Sequence, residues 1–116
     1  MVTFICYAKC TTCQKAQKWL DEQGVEYTVR PIKEQNPTAE ELAQWMEQSG
    51  LPEKRFVNTS GQLYRAMELK GKIPAMSRQQ LVELLATDGM LVKRPILLTE
   101  KGVFPGFKPE EWQKLL

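Results

Sequence analysis

Histidine is absent from this chain of 116 residues. That absence excludes Cys-His nucleophile pairs and Ser-His-Asp triads, and with them the usual His-containing zinc sites. Any activated thiol must instead be made by backbone dipoles and by lysine or arginine. A surplus of either charge is also missing, since 16 basic residues stand against 14 acidic ones. With no basic excess to release counterions from a phosphate backbone, direct nucleic-acid binding is not expected. No apolar run approaches the ~20 residues of a membrane span. The N-terminus opens on a strand pattern, without the charge-then-apolar layout of a secretory leader. Cysteine is scarce, with three residues in a chain long enough to bury a core without disulfide staples. A single-domain, monomeric protein of a reducing, cytoplasmic compartment is expected.

The stretch that organises the chain is Tyr7-Ala8-Lys9-Cys10-Thr11-Thr12-Cys13. The apolar run Val2 to Tyr7 leads into it, alternating Val2, Phe4 and Cys6 against Thr3, Ile5 and Tyr7, as in a central strand buried on both faces. A helical pattern leads out, with Cys13, Ala16, Trp19 and Leu20 on one stripe and Gln14, Lys15, Lys18 and Asp21 on the other. Gly24 fits the C′ position. Val25, Tyr27 and Val29 then alternate in a second strand that stops at Pro31. This is a strand–helix–strand unit, for which parallel strands are expected.

Thr38 and Glu41 form a capping-box pattern ahead of Leu42, Trp45 and Met46, and Ser77 with Gln80 forms another ahead of Leu81, Leu84 and Leu85. Between them, Leu63, Tyr64 and Met67 mark a short helix ending near Gly71. Residues of about 38–86 therefore read as a helical block of three short helices, inserted in a core of 1–32 and 90–116. Strand chemistry returns with Arg94-Pro95-Ile96-Leu97-Leu98. A turn at Glu100-Lys101-Gly102 makes a hairpin with Val103-Phe104. Pro109 opens a last helix carrying Trp112, Leu115 and Leu116. The order predicts an α/β, thioredoxin-like, mixed four-stranded sheet with an all-helical insertion.

A CxxC pair at a strand-to-helix junction points to thiol redox chemistry. Cys10 at the positive helix end is the candidate nucleophile, since the N–H groups of Thr12 and Cys13 favour thiolate there. Cys13, one turn deeper, is the candidate resolving thiol. Thr11, Thr12, Lys9 and Lys15 are candidate anion contacts, although both lysines also read as solvated charges. Arg94 either faces the thiols or is solvated at an ordinary strand entry. Core cysteines without a role and a zinc half-site are the competing readings of the pair, and no further cysteine or histidine exists to complete a zinc site. Cys6, Cys10 and Cys13 spell C-x3-C-x2-C, the spacing of a four-iron cluster in radical enzymes. Cys6 falls inside a strand and the chain is too short for the accompanying barrel, so no metal is assigned and Cys6 is read as a core residue.

Cys10-Thr11-Thr12-Cys13, the capped helical block, Asn58-Thr59-Ser60-Gly61 with Tyr64-Arg65, Lys93-Arg94-Pro95-Ile96, and Gly106-Phe107-Lys108-Pro109-Glu110-Glu111-Trp112 together resemble the glutaredoxin-linked arsenate reductase (ArsC) family, which includes the Spx-type redox regulators. The segment Asn58 to Arg65 looks closer to its uncharacterised reductase-like members. The resemblance implies a nucleophilic Cys10 and a cis Pro95 beside the active site. It implies no bound cofactor, with glutathione, glutaredoxin or thioredoxin as reductant. In arsenate-reducing members three arginines hold the oxyanion. One falls at Arg94, while Asn58 stands at the second position and the third lies near Lys108. A clamp lacking two bidentate forks is weaker. The function implied first is an arsenate-reductase-like thiol-disulfide oxidoreductase using a Cys10/Cys13 dithiol. The alternative is an Spx-type regulator that binds the C-terminal domain of the RNA polymerase α subunit and switches on disulfide closure.

Overall fold

A computed structural model describes residues 1–116. The chain runs β1 (Val2–Cys6), α1 (Thr11–Glu22), β2 (Tyr27–Pro31), α2 (Ala39–Ser49), α3 (Gln62–Ala66), α4 (Leu69–Lys72), α5 (Arg78–Leu85), β3 (Ile96–Thr99), β4 (Gly102–Pro105) and α6 (Pro109–Leu115), with short 3-10 turns at Glu53–Phe56, Ile73–Ala75 and Gly89–Leu91. The sheet order is β2-β1-β3-β4. β1 pairs parallel with β2 and antiparallel with β3, and β3 pairs antiparallel with β4. This is the mixed four-stranded, thioredoxin-like α/β arrangement expected from the order of elements.

β1 is central because both of its faces are apolar. Phe4 and Cys6 pack on one side with Cys13, Ala16, Leu20, Leu97, Phe104 and Trp112. Ile5 faces the other side with Ile96 and Val103, under Leu42, Trp45, Met46, Leu81 and Leu85. The second cluster holds 17 buried residues and the first holds 8. The helical block between β2 and β3 is thus the whole cover of one sheet face, and it carries the larger share of the core. At about 25 cal/mol per Å² of apolar surface, that cover is the larger hydrophobic contribution to stability.

Both capping boxes form: Thr38 with Glu41, and Ser77 with Gln80. Glu41 does more than cap, since Arg30 on β2 donates to both of its oxygens at 2.6 and 2.8 Å. The block is pinned again at its far end. Asn36 Nδ2 donates to the Ala86 carbonyl at 2.7 Å, and a Cβ placed on Gly89 would meet Asn36 Oδ1 at 2.8 Å and the Ile32 carbonyl carbon at 3.0 Å.

Two expectations change. The single helix through Leu63, Tyr64 and Met67 to Gly71 is instead α3 and α4, broken at Glu68 with φ 53°. Tyr64 and Leu69 are both buried. Five residues apart, they would point about 140° away from each other on one continuous helix. The left-handed residue turns the chain so that both reach the core. Val29 is 44% exposed, because β2 is an edge strand and its outer positions lie beyond the cover of α1.

Two measurements follow from these joints. The hydrogen bonds from Arg30, the largest cause, together with the Thr38 cap and the Arg30 charge hold the Glu41 carboxyl down at about 2, against partial burial, which pushes it up. This stabilisation is full above the ordinary carboxylate range and is lost as pH falls from there toward 2. Glu41→Gln should cost roughly 1 kcal/mol at neutral pH, as a forked but partly exposed pair does. It should also flatten the fall of the urea midpoint across that acid window. Gly89→Ala, which must displace backbone, should cost roughly 1–3 kcal/mol in the same denaturation measurement at pH 7.

Candidate active site

β1 ends at Cys6, and the chain turns through Tyr7, Ala8 and Lys9 into α1. The Cys10 N–H donates to the Tyr7 carbonyl at 3.0 Å, and the Gln14 N–H closes the first helical turn on the Cys10 carbonyl at 3.0 Å. The Gln14 side-chain amide ties down the turn by donating to the Ala8 carbonyl at 3.0 Å. Cys10 is the N-cap, with an extended backbone at φ −88° and ψ 122°, and no side chain caps the helix in the usual way. The N–H groups of the first turn are thus left without side-chain partners at the end of the helix where the Cys10 sulfur sits.

The two thiols are held in opposite states. Partial burial pushes Cys10 up, but the backbone N–H of Cys13, the Cys13 thiol, the Thr12 N–H and the Arg94 charge together bring it below the ordinary thiol value. Cys13 is 3% exposed, and burial pushes it up to about 12, aided by the neighbouring Cys10 charge and against the Tyr7 N–H. That N–H donates to Cys13 Sγ at 3.4 Å. Burial also raises Cys6, which lies behind the pair in the α1 face of the core. All three cysteines are free.

Arg94 comes from the segment entering β3. Its guanidinium stands over the Tyr7 ring, 5.1 Å from the centroid. Its Nε and Nη1 are buried without a hydrogen-bond partner. Buried donors of a charged group are costly to leave unpaired, and the face of the Tyr7 ring is the support found for this guanidinium. The Arg94–Pro95 peptide bond is cis. The Pro95 carbonyl accepts from the Gly106 N–H at 2.7 Å, and the Gly106 carbonyl accepts from the Trp112 indole at 2.8 Å. Gly106 has φ 86°, a conformation that glycine holds without strain. The chain between β4 and α6 is thereby clamped against the proline.

A cleft of about 340 Å³ opens here, lined by Thr12, Arg94, Arg55, Lys93 and Lys108 among others, with no carboxylate in its wall. Of the residues singled out in the sequence, Thr12 and Arg94 line the cleft. Cys10, Cys13 and Pro95 are not in its wall, the Cys10 thiol being tied to it through the Thr12 N–H and the Arg94 charge and Pro95 following Arg94. Lys9, Thr11 and Lys15 are exposed and do not line the cleft. Arg94 is a side-chain cation that lowers the Cys10 thiol. Asn58 is committed elsewhere, its side-chain amide donating to the Met90 carbonyl at 3.1 Å. Tyr64 is buried and Arg65 is exposed, both outside this cleft.

Arg55 and Lys93 were not anticipated. Val57 and Val92 form an isolated antiparallel bridge, flanked by Lys93 N–H to the Phe56 carbonyl at 2.8 Å and Asn58 N–H to the Leu91 carbonyl at 2.8 Å. This bridge brings the two cations to one wall. The signal in the sequence is a pair of two-residue apolar steps, Phe56-Val57 and Leu91-Val92, each with a cation beside it.

Strand, cysteine N-cap, helix and cis-proline define a thioredoxin-like thiol protein. More narrowly, the chain belongs to the ArsC family, whose model matches residues 6–115. It is 48% identical to the uncharacterized protein YusI of Bacillus subtilis, over 97% of this chain and 96% of that one. It is 31% identical to the regulatory protein MgsR of Bacillus subtilis, over 98% of this chain and 89% of that one. A crystal structure described as that of an ArsC family related protein from Bacteroides fragilis superposes with a TM-score of 0.96 at 53% identity, covering 99% of this chain and 97% of that one.

The paired thiols make a direct prediction. Iodoacetamide should alkylate Cys10 with a pH midpoint below that of a free thiol, about 8.5, while Cys13 stays unlabelled through pH 9. Arg94→Gln should move the Cys10 midpoint upward, read by mass spectrometry of the labelled peptide. An unchanged midpoint would remove Arg94 from thiolate stabilisation.

Proposed function

We propose that the protein is an arsenate-reductase-like thiol-disulfide oxidoreductase in which Cys10 is the nucleophile and Cys13 the resolving thiol. The observation that carries this reading is the opposite poise of the two sulfurs beside an arginine with two unpaired donors. The Cys10 thiolate attacks one sulfur of a substrate disulfide. That S–S bond breaks, the leaving thiolate takes the electron pair and a proton from water, and Cys10 is left in a mixed disulfide. Cys13 then loses its proton to solvent and attacks the Cys10 sulfur. The second substrate thiolate leaves, and Cys10–Cys13 closes as the two-electron oxidised form. A small thiol such as glutathione, or a glutaredoxin or thioredoxin dithiol, returns the two electrons.

Burial alone would make Cys13 a poor second nucleophile. Part of what raises it, however, is the Cys10 charge and the hydrogen bond to Cys10. Both vanish when Cys10 enters a mixed disulfide, so the resolving thiol is released by the step that requires it. Arg94 holds the Cys10 thiolate and an anionic substrate group, and the Thr12 and Cys13 amides complete the cradle. The chemistry needs no bound cofactor. Free thiols suit a reducing, cytoplasmic setting, and no helix is long and apolar enough to cross a membrane. The protein acts as a monomer.

The test is NADPH-coupled turnover of arsenate and of a glutathione mixed disulfide, with glutaredoxin and thioredoxin systems supplied in parallel. Turnover that disappears in Cys10→Ser is the expected result. No turnover above that control would refute the enzyme. The likeness to a protein named as regulatory supports a second reading, in which the closing disulfide changes a surface bound by the RNA polymerase α subunit. Retention of purified α subunit by the oxidised protein alone, lost in Cys13→Ser, is its signature.

A further inference from the structure

The cleft at Thr12 and Arg94 shares Arg55 and Lys93 with a neighbouring cleft. That second cleft, of about 350 Å³, is lined also by Pro52, Lys54, Val57 and Thr59. The two clefts together present five cations, Lys54, Arg55, Lys93, Arg94 and Lys108, and no carboxylate. None of the protein's four ion pairs involves any of the five. The nearest acidic residue in sequence, Glu53, is turned to Arg78 at 3.0 Å.

The shared wall is held by apolar and backbone supports instead of by counter-charges. The Arg55 guanidinium stands over the Phe104 ring, 5.5 Å from the centroid. The Lys93 stem lies along the Gly106 backbone, where a Cβ would come within 3.3 Å of Lys93 Cε. Such supports fix a cation and leave its charge unspent. Five like charges around two neighbouring clefts that share this wall repel one another until an anion enters, and they raise the local concentration of anions.

From this we infer that Arg55 and Lys93 form a second anion contact of the Cys10 site, and that the ligand is an extended thiol compound or disulfide bearing at least two separated anionic groups. A compact oxyanion would occupy the Arg94 end and leave the second cleft empty. An extended ligand places one carboxylate at Arg94, its sulfur toward Cys10, and a second carboxylate at the Arg55–Lys93 wall. This inference rests on the exchange reading for its chemistry, though not for the existence of the two clefts.

Two measurements separate the two. The first uses S-methylglutathione, a peptide thioether with two carboxylates and no exchangeable sulfur. Calorimetry should show it binding to wild type, with affinity falling about tenfold in Arg55→Gln and in Lys93→Gln, as loss of one charge-assisted contact does. The second is the rate at which glutathione disulfide and the neutral 2-hydroxyethyl disulfide oxidise the reduced protein. The ratio of their second-order rate constants should favour glutathione disulfide, should shrink with added salt, and should drop about tenfold in either variant. A ratio taken within one variant does not depend on how much of that variant is folded. Equal rates for the two disulfides in wild type, or a ratio unchanged in both variants, would overturn the second anion contact while leaving exchange intact. S-methylglutathione binding that depends on Arg55 in a protein that no disulfide oxidises would support the second anion contact and overturn the exchange reading instead.

Discussion

The structure depends first on β1 being buried on both faces. Phe4 and Cys6 are locked under α1 and α6, and Ile5 under the helical block, so the strand has no freedom to slide or rotate. Its last residues therefore deliver Tyr7 and Cys10 to a fixed point. From there the Tyr7 carbonyl anchors the Cys10 N–H, the Tyr7 N–H touches Cys13, and the Tyr7 ring carries Arg94. One residue at the end of one strand thus places both thiols and the arginine relative to each other. A one-residue slip in pairing would turn every β1 side chain to the other face and break the packing of Phe4 and Cys6 on one side and of Ile5 on the other.

The same construction explains why the two cysteines differ so much three residues apart. Cys10 sits before the helix begins, where N–H groups lack carbonyl partners. Cys13 lies one turn later, on the stripe that α1 buries with Ala16 and Leu20. The helical period alone puts one sulfur at the rim and the other in the core. No histidine is needed to separate their acidities, and none is present.

Much of this was legible in the sequence, and the reason is local. The β1 alternation, both capping boxes, the Gly24 helix end and the final hairpin each depend on a few neighbouring residues, so pattern and structure agree. The break at Glu68 was not legible, because it is decided by two distant demands on the chain: Tyr64 and Leu69 must both reach the core. The exposure of Val29 depends on which strand lies at the edge, and that is a property of the finished sheet. At the site, Cys10, Cys13 and Arg94 could be read from the junction, from the spacing and from family resemblance. Lys9 and Lys15 were weighed because they are near in sequence. Yet Lys9 lies in the turn before α1 and Lys15 on the outer face of the helix, and both are exposed. Arg55 enters through a single strand-like bridge between Val57 and Val92, a contact across 35 positions whose two apolar steps do not by themselves say that they pair.

One electrostatic arrangement serves more than one end here. The open N-terminus of α1, Arg94 and the wall of cations make this end of the sheet positive, with no internal carboxylate to cancel it. Its α1 N–H groups and Arg94 favour the Cys10 thiolate over the thiol. In the proposed exchange this positive field also draws in an anionic disulfide and eases departure of a thiolate, since each of these species carries negative charge. Cys13 would respond to the same field if it were open to it, and two thiolates side by side would then repel. Burial prevents this by imposing a desolvation cost on the Cys13 thiolate. In the proposed exchange, the order of the two attacks would follow from the depth at which each sulfur sits.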